Sequence, residues 1–250
     1  MTDPDVSRTV TLVTGATGGI GTAICRRLAA AGSRVVVGYH SSEAAANALA
    51  ESLAGDGHAV AYAELTDSRT LSQLARFIEK RFGRLDVLVN SAATTRFVPH
   101  GDLDELDDNL IDQLFQVNWR GPFATIRACR DLLAAHPGGV VINISSIAGT
   151  TGVGSNVAYC ASKAALNSMT VSLARALAPS IRVVAVAPGV VNTNFIKGID
   201  ADWREAQLQR TPLKRFAETD DVAELVVALA TKLTYVTGCV VPVDGGRLIA

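Results

Sequence analysis

The chain contains 250 residues, of which 48% are hydrophobic and 19% are charged, and this composition argues against a disordered chain. Its formal net charge is −1, and the 23 basic and 24 acidic residues are mixed along the sequence. A nucleic-acid-binding protein would normally gather its basic residues in a stripe or patch. The apolar stretches fall short of the roughly 18 residues that a membrane span needs, and the polar residues 1–8 lack the apolar segment of a secretory signal. We therefore expect a cytoplasmic protein with neither a nucleic-acid nor a membrane partner.

Short apolar segments alternate with longer segments of helical periodicity along the whole chain. The apolar segments are rich in Val and Ile and predict strands at residues 10–13, 34–39, 59–63, 86–89, 140–144, 182–186 and 239–243. The periodic segments predict helices at residues 20–31, 43–53, 69–82, 106–118, 123–135, 158–178 and 221–231. Strands that are apolar on both faces and alternate with helices indicate an α/β fold. We expect a parallel sheet of about seven strands with helices on both faces.

The alternation continues without a linker or an internal repeat, so we expect one domain over residues 1–250. Residues 194–218 are the exception, because they are polar, irregular and long for a connection. Long loops inside compact domains are usually functional. We interpret this segment as a mobile cap over a substrate.

The cysteines are spaced too widely for a metal or redox cluster, whose ligands usually lie close together in sequence. We expect no metal site and predict reduced, mostly buried thiols. They are Cys25, Cys129, Cys160 and Cys239.

A glycine-rich turn, TGATGGIG at residues 14–21, follows the first predicted strand and opens the first helix. Gly15, Gly19 and Gly21 let the backbone turn sharply and approach a pyrophosphate at the positive end of that helix. A tight strand-to-helix corner needs glycine with or without a ligand, but the place of this turn in the chain favours dinucleotide binding.

Tyr159 and Lys163 are four residues apart on a predicted helix and therefore lie on one face of it. We predict that the Lys163 ammonium favours the ionised phenol and lowers the pKa of Tyr159 below its ordinary value of about 10. A tyrosine perturbed in this way exchanges protons nearer to neutral pH. The same spacing occurs in many helices by chance, so the pair indicates a catalytic site only in combination with the other motifs of the chain.

Ser146 comes just after the predicted strand at residues 140–144, at the edge where α/β sheets bind their ligands. A hydroxyl there can donate a hydrogen bond to a substrate carbonyl as negative charge builds on its oxygen. Ser145 competes for this role, and we interpret it instead as a residue that caps the backbone.

Together these motifs resemble those of the short-chain dehydrogenase/reductase family. The turn has the family's TGxxxGxG spacing, and residues 159–163 have its YxxxK motif. Residues 90–93 are similar to the family's NNAG segment, from which Ser91 and Ala93 depart. Residues 188–193 match the family's PGxxxT segment, and residues 243–246 resemble its closing segment. The resemblance covers nearly the whole chain and implies a Rossmann-type, doubly wound parallel sheet that forms a single dinucleotide-binding and catalytic domain.

The resemblance also implies roles for individual residues. Tyr159 would exchange the proton, Ser146 would stabilise the oxyanion, and Lys163 would bind the nicotinamide ribose. Asn118 would hold a water molecule that completes the proton path. The cofactor would be bound by Gly15, Thr17, Gly19, Ile20, Gly21, Tyr39, His40, Ser41, Glu64, Leu65, Asn90, Ala92, Tyr159, Lys163, Pro188, Gly189, Val191 and Thr193.

The end of the second strand bears on the choice between NAD and NADP. Tyr39 stands where NAD-preferring relatives carry an aspartate that binds the adenosine ribose. The missing carboxylate and the hydrogen-bond donors at residues 40–42 favour NADP (NADPH). Against this, no arginine is present there, and histidine is mostly neutral at pH 7. Glu64, followed by Leu65, replaces the aspartate of an adenine-contacting Asp-Val pair.

Within the family the pattern is most similar to bacterial 3-oxoacyl thioester reductases, which implies reduction of such a thioester or a similar ketone with NADPH. An NAD-dependent secondary alcohol dehydrogenase and a non-catalytic cofactor-sensing module are the alternatives. Residues 136–138 (HPG) and 179–180 (PS) lack the basic residues that carrier-protein reductases often have, which weakens the case for a carrier-protein partner. Phe97, Phe195 and Trp203 are candidates for the wall of an apolar substrate pocket, and simple packing is the alternative for each of them.

The resemblance also implies an oligomeric state. Relatives usually form homotetramers through the helices that correspond to residues 106–135 and 158–178. We therefore expect a homotetramer here.

Overall fold

A computed structural model describes residues 9–193 and 200–249. Seven strands pair in parallel in the order β3-β2-β1-β4-β5-β6-β7. The strands are β1 (Val10–Thr14), β2 (Arg34–Tyr39), β3 (Ala59–Tyr62), β4 (Val87–Asn90), β5 (Gly139–Ile144), β6 (Ile181–Pro188) and β7 (Val240–Val243). The order reverses between β1 and β4, which makes the sheet doubly wound and opens a crevice at their carboxyl ends.

The helices follow the strands in alternation. They are α1 (Gly19–Ala30), α2 (Glu43–Ser52), α3 (Ser68–Phe82), α4 (Asp108–Phe115), α5 (Gly121–Ala134), α6 (Ala148–Thr151), α7 (Val157–Leu177), α8 (Ala201–Gln209) and α9 (Thr219–Thr231). A π-helix, Gln116–Arg120, joins α4 to α5, and a 3₁₀ turn, Arg247–Ile249, follows β7.

The sheet is buried on both faces. Successive strand residues point to opposite sides, so Val13 packs into one apolar cluster with α1, α2 and α9, whereas Leu12 packs into another with α3, α5 and α7. Strands that must be apolar on both faces read as continuous runs of Val, Leu and Ile. The predicted α/β fold with about seven parallel strands and helices on both faces is confirmed.

Two parts of the chain differ from the sequence prediction. The helices predicted at 106–118 and 123–135 form one helical stretch from Asp108 to Ala134. Pro122 lies in the first turn of α5, after the π-helix, where a missing N–H is tolerated. Residues 194–218 were expected to be irregular, but α8 forms within them, where the Asp200 side chain accepts a hydrogen bond from Trp203 N at 3.3 Å. The pattern prediction missed α8 because this helix is polar and weakly periodic.

The cysteines are free, as predicted: Cys25, Cys129 and Cys160 are buried and Cys239 is half-buried. Within residues 9–193 and 200–249, no group of three or more His, Cys, Asp or Glu side chains could hold a metal ion. No helix in this described part of the chain is long and apolar enough to cross a membrane.

Candidate active site

The strand register brings the predicted site residues to one edge of the sheet. Thr14 lies level with Asn90, Asn90 with Asn143, and Ile144 with Val186. Parallel strands end on the same side, so the segments that follow β1, β4, β5 and β6 meet there. The glycine turn, residues 91–93, Ser146 and residues 189–193 therefore border one crevice, although they are far apart in sequence.

The glycine turn packs so closely that side chains are excluded at two positions. Gly15 has a φ of +63°, and a Cβ on it would lie 2.6 Å from the Cα of Ala92. A Cβ on Gly21 would lie 2.2 Å from the carbonyl oxygen of Gly15. Helix α1 begins after Gly18, which has no side chain to cap the first N–H groups. An exposed helix N-terminus behind a glycine turn fits the pyrophosphate of a dinucleotide.

The segment after β6 closes the same crevice. The methyl group of Thr193 lies 3.1 Å from the place that a Cβ on Gly19 would occupy. A larger residue at position 189 would displace Asp244, because a Cβ added to Gly189 would lie 3.1 Å from the Asp244 Cα. Thr193 thus stands beside the glycine turn. The predicted nicotinamide-side residues Pro188, Gly189 and Val191 line the same cavity.

Tyr159 and Lys163 project from the first half of α7. The helix begins at Asn156, whose side-chain oxygen accepts a hydrogen bond from Tyr159 N at 2.6 Å. Lys163 is 2% exposed, and its Nζ donates a hydrogen bond to the carbonyl oxygen of Ile144 at 2.9 Å. The same Nζ lies 5.8 Å from the centre of the Tyr159 ring. The pair that four-residue spacing predicted is thus present, with the lysine tied to the end of β5.

The pKa values of both groups are shifted mainly by burial. Burial raises the pKa of Tyr159 above its ordinary value of 10, a side-chain hydrogen bond with Ser146 lowers it, and the nearby Cys160 thiol raises it. Burial lowers the pKa of Lys163 from 10.5 to about 8. The predicted lowering of the Tyr159 pKa by Lys163 is wrong for this structure. The physical reason is that the lysine is directed to Ile144 while the phenol is desolvated.

The two serines after β5 make different contacts. Ser146 shares a hydrogen bond with the Tyr159 side chain, and its Oγ also accepts one from Ala148 N at 3.1 Å. Ser145 donates to the side-chain oxygen of Asn167 at 2.6 Å. Ser145 Oγ also bonds to the backbone oxygen of Lys163 at 3.4 Å, so both serines contact the backbone: Ser145 at a carbonyl in α7 and Ser146 at the N–H of Ala148. Ser146 is the serine in contact with Tyr159.

Asn118 lies inside the π-helix and is fully buried. Its Oδ1 accepts a hydrogen bond from Thr94 N at 2.9 Å, and its Nδ2 donates to Thr94 O at 3.0 Å and Ser162 Oγ at 3.2 Å. The amide therefore anchors the segment after β4 against α7. Sequence reasoning did not find Thr94 or Ser162, because neither belongs to a spaced motif. The predicted water on Asn118 stays a prediction.

Asn90 and Asn143 form a buried polar bridge under the crevice. Asn90 Nδ2 donates to Asn143 Oδ1 at 2.9 Å, and Asn143 Nδ2 donates to Thr170 Oγ1 at 2.9 Å. Asn90 Oδ1 is buried without a hydrogen-bond partner among the described residues. The bridge holds β4, β5 and α7 in register below Ala92.

The predicted adenosine-side residues lie at the ends of β2 and β3, where Tyr39 is level with Tyr62. The ring of Tyr39 meets that of Tyr62 edge-on at 5.8 Å. His40 Nε2 lies 2.5 Å from Glu64 Oε2. Glu64 also accepts two hydrogen bonds from Thr66, at 2.8 and 2.7 Å. These bonds and His40 lower its pKa although burial opposes the shift.

The remaining predicted positions on this side differ in burial. Ser41 and Thr17 are exposed, whereas Leu65 is buried, with its Cβ 2.7 Å from the place of a Cβ on Gly121.

A cavity of about 540 Å³ opens beside Ser146 and Tyr159. Phe97, Val153 and Trp203 form part of its wall, so two of the three predicted apolar lining residues are present. Phe195 lies outside the described residues. Gln207, Arg210 and Arg247 also line the cavity. Sequence reasoning missed these three residues because they come from α8 and the end of the chain, which carry no motif.

The family model described as enoyl-(acyl carrier protein) reductase matches residues 15–247. The chain belongs to the short-chain dehydrogenase/reductase family. It is 38% identical over 243 residues to the granaticin polyketide synthase putative ketoacyl reductase 2 of Streptomyces violaceoruber, with 95% of each chain covered. It is 34% identical to a 3-oxoacyl-(acyl-carrier-protein) reductase of Thermotoga maritima, with 96% of this chain and 98% of that protein covered.

Solved structures give the same family. A putative short-chain dehydrogenase/reductase from Burkholderia xenovorans superposes with a TM-score of 0.90 at 35% identity, covering 98% of this chain and 99% of that one. A short-chain dehydrogenase/reductase from Brucella melitensis gives a TM-score of 0.91 at 29% identity, with both chains covered completely. The protein is an oxidoreductase with the Rossmann-type fold that interconverts CH–OH and C=O groups.

Proposed function

We propose that the protein is an NADPH-dependent reductase of a 3-oxoacyl thioester or a similar ketone. The observation that carries the proposal is the contact between Ser146 and Tyr159 in the wall of one cavity, with Lys163 Nζ 5.8 Å from the phenol ring. The printed names of two relatives, a ketoacyl reductase and a 3-oxoacyl-(acyl-carrier-protein) reductase, support this substrate class.

In this proposal the chain supplies an oxyanion site and a proton. Ser146 donates a hydrogen bond to the substrate carbonyl oxygen, and Tyr159 passes its phenolic proton to the same oxygen as the alcohol forms. Burial keeps the pKa of Tyr159 above 10, so the phenol holds this proton at neutral pH. Lys163, whose pKa is lowered to about 8 by burial, is held by the carbonyl oxygen of Ile144 and serves the cofactor in this proposal.

The proposed cofactor site follows the carboxyl edge of the sheet. Residues of the glycine turn would hold the pyrophosphate, Thr193 and its neighbours the carboxamide, and Lys163 the ribose beside the ring. A bound nicotinamide cofactor supplies the hydride for reduction and accepts one in the reverse direction. The glycine turn fits it because Gly15 and Gly21 exclude side chains from the backbone surface there.

The preference for NADPH rests on Tyr39, which stands at the end of β2 in place of an aspartate, although the Glu43 side chain hydrogen-bonds to that of Tyr39. One observation favours the second candidate, an NAD-dependent secondary alcohol dehydrogenase. His40 is paired with Glu64, so a carboxylate faces the adenosine side and competes with a phosphate for the histidine. Parallel titrations of protein fluorescence with NADPH and NADH decide between them. We expect NADPH to bind at least about tenfold more tightly; tighter binding of NADH would favour the dehydrogenase.

The catalytic assignment is tested with Tyr159→Phe, which removes only the phenolic oxygen. We expect loss of ketone reduction with cofactor affinity within about twofold of the wild type. Tyr235→Phe is the matched control, because Tyr235 is fully exposed and its change should leave both properties intact. Turnover by Tyr159→Phe close to the wild-type rate would exclude Tyr159 as the proton donor. Cofactor binding by the wild type without turnover of any ketone or alcohol would favour the non-catalytic module.

We further propose that residues 1–250 act as one cytoplasmic domain, with residues 194–218 as a substrate cap, and assemble as a homotetramer. Trp203 in the cavity wall supports the cap. The stacked, partly exposed rings of Trp119 and Phe123, 6.1 Å apart, support an interface on the π-helix and α5, because aromatic residues are enriched at interfaces. Light scattering after size-exclusion chromatography measures the assembly; a monomer at micromolar concentration would refute it.

A further inference from the structure

Two arginines line the cavity beside Tyr159. Arg210 ends α8, and Arg247 stands in the 3₁₀ turn after β7. Both line the same cavity, and no aspartate or glutamate is among its described lining residues. A cavity that holds two positive charges and no carboxylate attracts anions.

Contacts with Gln207 hold Arg247 in place. Arg247 Nη1 donates to the backbone oxygen of Gln207 at 3.2 Å, and Nη2 donates to its side-chain oxygen. A guanidinium has five N–H donors, so these bonds leave donors for a further acceptor. Gln207 is 9% exposed and receives a third bond from Thr211 Oγ1 at 2.9 Å. The bonds to Gln207 therefore fix the position of the Arg247 guanidinium in the cavity wall.

The Asp244 carboxylate, whose charge acts on Arg247, makes no ion pair with it. Asp244 accepts hydrogen bonds from Gly246 N at 3.0 Å and Leu248 N at 2.8 Å, and so shapes the turn that carries Arg247. Within residues 9–193 and 200–249, neither Arg210 nor Arg247 makes an ion pair. Burial and the charge of Arg210 both lower the pKa of Arg247, while Asp244 raises it. The two guanidinium groups repel each other, and a shared anion would relieve this repulsion.

We propose that Arg247 and Arg210 form an anion-binding subsite, and that the substrate is a carbonyl compound with an anionic group distant from the carbonyl. Arginine forks bind carboxylates and phosphates with paired hydrogen bonds. The apolar wall formed by Phe97, Val153 and Trp203 accommodates the carbon chain that joins the carbonyl to the anionic group. The inference rests on the proposed function, because it places the carbonyl at Ser146 and Tyr159. It names the substrate class of that site: an oxo acid, or a thioester whose carrier arm bears phosphate.

Two matched substrate pairs test the subsite and separate the sources of the anion. Levulinate and methyl levulinate differ in a carboxylate. Acetoacetyl coenzyme A and the acetoacetyl thioester of N-acetylcysteamine differ in phosphates. Steady-state reduction is measured with the wild type, Arg247→Gln and Arg210→Gln. Arg76→Gln is the control, because this exposed arginine lies on α3 and is not part of the cavity wall.

We expect the wild type to prefer the charged member of one pair. Arg247→Gln should lower kcat/KM for that member by about tenfold to a hundredfold, mainly through KM, since a hydrogen bond to a charged group is lost. The kcat/KM for the neutral member should change by less than about twofold, and Arg76→Gln should change neither value. A loss in the coenzyme A pair alone identifies phosphate as the anion, and a loss in the levulinate pair alone identifies carboxylate. Equal losses for charged and neutral members, or no loss for either, overturn the proposal.

A binding measurement separates failure of the subsite from failure of the proposed function. Calorimetric titration of the wild type and Arg247→Gln with pentanoate and with inorganic phosphate needs no turnover. If no ketone is reduced but one anion binds the wild type at least about tenfold more tightly than the variant, the proposed function fails and the subsite stands. If neutral ketones are reduced and neither anion distinguishes the two proteins, the proposed function stands and the subsite is refuted.

Discussion

Lys163 carries a buried charge whose cost to folding can be measured. The lysine is 2% exposed, and burial lowers its pKa from 10.5 to about 8. Each pKa unit corresponds to about 1.4 kcal/mol, so the shift of about 2.5 units amounts to about 3 kcal/mol. The folded state pays this cost fully at pH values below about 8, where both states are protonated. As pH rises from about 8 to 10.5, the unfolded state binds more protons than the folded state, so this group raises stability with pH.

Replacing Lys163 with methionine keeps most of the side-chain volume and removes the charge. We expect the free energy of unfolding of the wild type to rise relative to that of Lys163→Met by about 3 kcal/mol between about pH 7 and pH 10.5. The comparison must be a difference between the two proteins, because burial raises the pKa of Cys25 and Cys129 to about 12. Those thiols oppose the trend, since they destabilise the folded state as pH rises above 9.

Urea unfolding followed by circular dichroism at several pH values gives the required free energies. Lys214→Met controls for the loss of a positive charge as such, because Lys214 lies at the protein surface. A difference between wild type and Lys163→Met that stays constant within about 1 kcal/mol across this range would refute the argument from desolvation.

Three further predictions concern the scaffold of the site. Gly21→Ala should weaken NADPH binding by at least about tenfold and lower the free energy of unfolding by about 1–3 kcal/mol, because its Cβ would lie 2.2 Å from Gly15 O. In the control Gly101→Ala, the added Cβ meets no atom within 4 Å, and equal behaviour of the two variants in titration and thermal unfolding would contradict the prediction. Asn118→Ala should lower the free energy of unfolding in urea by at least about 2 kcal/mol, because it leaves the Thr94 N–H and carbonyl without their partner. A decrease below about 0.5 kcal/mol would show that the Asn118 anchor is dispensable. Asp86→Asn should lower the free energy of unfolding by about 1–3 kcal/mol, because Asp86 accepts the Val10 N–H at 2.8 Å and pairs with Arg84. An unchanged midpoint of urea unfolding would contradict this prediction.

The sequence by itself determined the fold class, the family and the positions of the proposed catalytic pair. A strand buried on both faces must be apolar throughout, and a helix must repeat about every 3.6 residues. Both requirements are local, so all seven strands and most helices followed from the pattern. Tyr159 and Lys163 were also found locally, because four residues along a helix bring two side chains to one face. The glycine turn was also found locally, because the spacing of its glycines within residues 14–21 is enough to identify it.

The tertiary structure decided everything that depends on residues distant in sequence. Burial of Tyr159, which raises its pKa, depends on segments from several parts of the chain, so spacing alone gave the wrong direction. The choice of Ser146 over Ser145 as the partner of Tyr159 depends on how β5 packs against α7. The role of Asn118 depends on Thr94, 24 residues away. Arg247 and Gln207 are 40 residues apart. No local pattern encodes that contact, because only the folded chain brings α8 and the final turn to the same cavity.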